Sequence, residues 1–162
     1  MRTSLLVVAN QTVDAPELLS YLSRRAEMGT TKVTLVLPTK YAEREAARAR
    51  ADDAVAHLAQ AGIAADAHLA DEDPAVAVQE AWDPRRYDEV IVCTLPVGSS
   101  RWLACGLPHR IERLTDATVH HLEARPAREV PEPVPLPPRE RPPLLVGVLG
   151  QLRASTRRAA EQ

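Results

Sequence analysis

A short polar loop, Gly98-Ser99-Ser100-Arg101, carries residue types that grip an anionic oxygen. Glycine lets backbone approach a ligand closely, serine hydroxyls donate, and an arginine fork binds phosphate with two parallel hydrogen bonds. The same four residues also suit a plain polar turn with a solvated arginine. A second polar loop, Asn10-Gln11-Thr12, follows the first apolar run of the chain. Thr94 precedes the Gly98 loop, and Leu37-Pro38 close another apolar run. The candidate ligand-binding set is therefore Asn10, Thr12, Leu37, Pro38, Thr94, Gly98, Ser99, Ser100 and Arg101. No base is identifiable beside Ser99 or Ser100, so a serine nucleophile has no support and no catalytic residue is assigned.

Other groups point to structure more than to chemistry. His120 and His121 are adjacent on an expected strand, so their side chains face opposite ways and cannot easily share a metal. No metal site is expected. His109 reads as a surface or capping residue, and His57 and His68 as solvent-side positions. Cys93 lies in an apolar run and reads as an inert small hydrophobe, whereas Cys105 falls in a loop. Asp71, Glu72 and Asp73 form a carboxylate cluster whose plain role is to cap the helix that follows. Neither the phosphate-loop pattern of NTPases nor the dinucleotide-binding glycine pattern occurs.

Positioning these loops requires an alternation of strand and helix, and the chain shows it five times. Residues 4–10 are a near-continuous apolar run, expected of a strand covered on both faces. Asp14, Pro16 and Glu17 suggest a helix start with Asp14 as cap, and Gly29 a stop. Residues 32–38 give strand two, and roughly 41–61 a long alanine-rich helix. Its inner stripe is Ala47, Ala51, Ala54, Val55 and Leu58, and Glu45, Arg48 and Asp52 are spaced for ion pairs on its wet face. Strand three, residues 63–70, is weaker and suits an edge. Asp73-Pro74 caps and opens helix three, which runs through Trp82. Residues 87–94 form strand four, residues 95–106 a loop, Pro108 a short helix, and residues 117–122 strand five.

Parallel strands joined by right-handed helical crossovers make an open sheet covered on both faces. The expected class is α/β: one doubly wound five-stranded sheet, order 3-2-1-4-5, with helices on both faces. Winding then reverses between strands one and four, where such sheets bind ligands. This domain covers residues 1–124. Residues 126–143 contain eight prolines, so 125–143 reads as an extended linker reaching on the order of 55 Å. Residues 144–162 read as a tail with a short amphipathic helix. A net charge of −2 gives no pull toward nucleic acid. The apolar runs are too short to span a membrane, and one cysteine pair does not make a secreted disulfide framework. A cytoplasmic protein is expected.

The succession VVANQT, DEDP, YDEVIVCTLP, SSRWL and GLPHRIER resembles the universal stress protein superfamily, and more narrowly its divergent actinobacterial members. The resemblance covers roughly residues 3–124. It implies the same five-stranded fold, a dimer, and a binding or regulatory role rather than catalysis. Many members bind ATP through a G-x2-G-x9-G-[ST] pattern after strand four and an Asp ending strand one. Here Asn10 stands near the Asp, and Gly98 and Gly106 are the only glycines after Thr94 in that region, so the pattern is absent. The expectation is a non-enzymatic stress-response regulator that binds a small phosphorylated ligand, with ATP or AMP as candidates. The alternative is a ligand-free scaffold that dimerises through residues 117–122 and presents its tail to a protein partner.

Overall fold

The computed structural model describes residues 2–126, so the linker and tail readings for 127–162 lie outside the described residues. Five strands run β1 (Arg2–Val8), β2 (Thr30–Pro38), β3 (Ala64–Ala70), β4 (Glu89–Thr94) and β5 (Thr118–Glu123). The helices are α1 (Pro16–Glu27), α2 (Arg44–Gln60), α3 (Pro74–Ala81), α4 (Arg101–Ala104) and α5 (Leu107–Thr115). The sheet order is β3-β2-β1-β4-β5 and every pairing is parallel. This is the expected doubly wound sheet.

The two faces follow from side-chain alternation along β1. Leu5, Val7 and Ala9 pack beneath Leu18 and Leu22 of α1 and Ala51, Ala54 and Leu58 of α2. Leu6 and Val8 point the other way, onto Ala77 and Val78 of α3 and Leu107 and Ile111 of α5. Leu5 through Val8 are all fully buried, each side chain contributing roughly 1.5–3 kcal/mol of burial free energy. Glu89 opens β4 and binds Arg25 of α1 at 2.6 Å, with His120 of β5 at 3.0 Å. That carboxylate raises the pKa of the Arg25 guanidinium through its hydrogen bond.

Several local expectations need correction. Strand one ends at Val8, and residues 10–15 form tight turns, with Val13 donating to Asn10 O and Ala15 to Thr12 O. Asp14 does not cap α1. The helix begins at Pro16, and the cap position is Ala15, held extended at φ −65° and ψ 136° with no side-chain cap. The ring of Pro16 forces its predecessor out of the helical region, which leaves Asp14 one residue too early. Residues 41–43 form a 3-10 turn before α2. Its buried stripe is Ala47, Ala51, Ala54 and Leu58, with Val55 half-buried. Glu45, Arg48 and Asp52 are exposed and make no ion pair among the described residues. The expected loop at 95–106 contains the single-turn helix α4, because the Ser100 hydroxyl accepts from Leu103 N.

Asp73 does cap α3, its carboxylate accepting from Ala75 N at 2.8 Å. We expect Asp73→Ala to lower the unfolding free energy by about 1 kcal/mol, read by urea denaturation. An unchanged midpoint would show that the cap carries no weight.

Candidate functional site

Winding reverses where β1 lies between β2 and β4, so the chain leaves β1 and β4 in opposite directions across the sheet. The loops after β1, β2, β3 and β4 meet there around a cavity of ≈ 320 Å³. Of the expected ligand set, Asn10, Thr12, Pro38, Ser99, Ser100 and Arg101 line it. Asn10 and Arg101, 91 positions apart in the chain, thus share one cleft.

Hydrogen bonding assigns these groups different duties. Asn10 is a bracket: its Nδ2 donates to Pro38 O at 2.8 Å, and its Oδ1 accepts from Arg50 Nη2 at 2.9 Å. The asparagine therefore locks the end of β1 to the end of β2 and to α2. Thr12 is buried and donates from Oγ1 to Cys93 O at 3.0 Å, which ties the β1 loop to β4. Ser99 N closes a turn onto Pro96 O, with Gly98 at φ +90° supplying the left-handed step. Ser100 Oγ accepts from Leu103 N at 3.3 Å and keeps its own O–H proton for donation. Arg101 is exposed and joins no ion pair among the described residues.

Three expected residues lie elsewhere. Leu37 is fully buried in the core under α1 and α2 and does not line the cavity. Thr94 is buried, donates to Leu95 O and sits 2.8 Å from His121 Nε2. Gly98 shapes the loop without lining the cavity. His120 and His121 do face opposite ways, one toward Glu89 and the other toward Thr94.

The cavity also holds residues outside the expected set: Lys40, Glu43, Glu72 and Trp102. Lys40 and Glu43 follow β2, and Glu72 follows β3, so the rule that ligands sit at carboxyl ends of strands reaches them once all four loops are considered. Of the 71–73 cluster, Asp73 caps α3 and Asp71 accepts from Asp73 N, while Glu72 lines the cavity. Trp102 also packs against the core on the α3–α5 face. Cys93 forms part of the floor and is fully buried. Burial pushes its thiol up to about 11, against a partial lowering by the Thr12 hydroxyl.

No protein-family model matches the chain, and no curated protein matches it. Solved structures do. A universal stress protein in complex with cAMP superposes with a TM-score of 0.59 at 14% identity, covering 76% of this chain and 98% of that one. The universal stress protein from Archaeoglobus fulgidus in complex with dAMP gives a TM-score of 0.54 at 14% identity, covering 76% and 98%. A universal stress protein family protein from Arabidopsis thaliana with AMP bound gives 0.54 at 12% identity, covering 76% and 92%. The chain has the fold of the universal stress proteins.

Cys105 is exposed and Cys93 buried, so an aromatic disulfide reagent should label one thiol per native chain near neutral pH and both after denaturation. Fast labelling of both in the native protein would contradict the closed floor. Because folding raises the Cys93 pKa from 9.0 to about 11, its stabilising contribution is intact below pH 9 and is lost as pH rises toward 11. For the bracket, Asn10→Ala and Arg50→Met should be non-additive by about 1 kcal/mol in a double-mutant cycle of urea stability. Additivity would remove the coupling.

Proposed function

We propose that this chain is a non-enzymatic, cytoplasmic regulatory protein, a divergent actinobacterial-type member of the universal stress protein superfamily. It binds a small phosphorylated ligand, an adenine nucleotide such as AMP or ATP being the leading candidate. One observation carries this reading: the cleft at the winding reversal brings Arg101, Ser99 and Ser100 together with the loop after β1. The guanidinium grips phosphate oxygens and the two serine hydroxyls donate to them. Pro38, Gln11 and the indole of Trp102 supply contact for a ring or sugar. Three proteins of the same fold were solved with adenine nucleotides bound. Neither Ser99 nor Ser100 is hydrogen-bonded to a base among the described residues, so the reading is binding rather than group transfer.

The same proposal includes a homodimer through residues 117–122. Among the described residues β5 ends the sheet and pairs on one side with β4, and an edge strand offers a row of backbone donors and acceptors to a second copy.

Calorimetric titration of the full chain with AMP, ADP and ATP tests the ligand. Binding should appear at micromolar to millimolar concentration, and Arg101→Ala should weaken it about 10- to 100-fold, the worth of charge-assisted hydrogen bonds. Absence of binding by all three nucleotides, or binding indifferent to Arg101, would overturn the site. Native mass spectrometry of the same sample reads the dimer; a single-chain mass throughout would remove it.

A further inference from the structure

The charges around the cleft are not evenly distributed. Across the sheet, the loop after β4 brings Arg101 with Ser99 and Ser100, and the loops after β2 and β3 bring Lys40, Glu43 and Glu72. The β4 side is thus cationic, while the β2–β3 side carries two carboxylates to one ammonium. Glu43 and Glu72 are exposed and join no ion pair among the described residues. Neither is needed to hold its own loop: α3 is capped by Asp73, whose own N–H is held by the Asp71 carboxylate, and the cap position of α2, Glu43, makes no side-chain cap bond.

From this layout we infer that Glu43 and Glu72 set how many phosphates the ligand carries, selecting a nucleoside monophosphate over a triphosphate. The inference rests on the binding reading above and deepens it. Ionised carboxylates accept hydrogen bonds and donate none. Their side of the cleft therefore suits the donor groups of a ligand, its sugar hydroxyls or an exocyclic amine, and repels further phosphate. One phosphate on Arg101 leaves the donor-bearing part of the molecule directed at Glu43 and Glu72. A second and third phosphate would meet those two carboxylates beside the single ammonium of Lys40, or open water, with no second cation among the described residues on the β4 side of the cavity to receive them. The cavity volume, ≈ 320 Å³, lies at the lower end of the roughly 300–1,000 Å³ of small-molecule sites, which also favours the smaller ligand. Asn10 does not compete for this role, because both ends of its amide are engaged.

The test is calorimetric titration of the full chain with AMP and ATP, without divalent cation, in wild type and in the Glu43→Gln/Glu72→Gln double variant. Both glutamates are exposed, so the variant should keep the wild-type thermal midpoint. Wild type should bind AMP about tenfold or more tightly than ATP. The double variant should bring the two within about threefold, chiefly by strengthening ATP. In wild type alone, raising the salt should narrow the same gap, since screening weakens exposed charge repulsion. Equal affinities in wild type, or a gap unmoved by both the substitutions and salt, would overturn this inference while Arg101-dependent binding left the site standing. Failure of every nucleotide to bind would overturn both.

Discussion

A strand apolar on both faces can be stable only in the middle of a covered sheet, and β1 is that strand. Leu5 and Val7 enter one core, Leu6 and Val8 the other, and all four are fully buried. With β1 central, it must have a neighbour on each side. Those neighbours are β2, reached through α1, and β4, reached after the chain has wound outward to β3 and returned. Right-handed crossovers then put α1 and α2 on one face and α3 and α5 on the other. The loops at the carboxyl ends of β1 and β4 have to part. The cleft is a by-product of that geometry before any polar residue is considered.

This dependence explains what could be read from residues alone. The apolar runs at 4–10 and 87–94 named the two central strands, and the weaker pattern at 63–70 named an edge. Asp73-Pro74 gave a helix start correctly because both signals agree on one position. Asp14 misled because Pro16 overrules it from two residues away, a contest of steric restriction against capping in which the proline ring prevails. In the cleft, the loops were legible and the duties of single side chains were not. Asn10 has the chemistry of a ligand donor, but Arg50, forty residues on in α2, occupies its carbonyl oxygen. Leu37 is wholly taken up by the core. Glu43 and Glu72 sat where helix-start carboxylates are commonplace, so nothing local distinguished them.

The polar groups around the cavity fall into two kinds. Asn10, Thr12 and Thr94 satisfy one another's loops and strands, and are buried or half-buried. Arg101, Lys40, Glu43 and Glu72 are exposed, carry charge and are unpaired among the described residues. The first kind forms a frame and the second a lining. A fold can vary the lining without disturbing the frame, since exposed charges contribute little to stability.

The bond from the Thr12 hydroxyl to the Cys93 carbonyl also bears on where the cavity keeps its freedom. It fastens the two diverging backbones at the throat of the crevice, in a place water does not reach. The ends of β1 and β4 are thereby fixed to each other, and the conformational freedom left at the cavity rim is that of its long exposed side chains, Lys40, Glu43, Glu72 and Arg101.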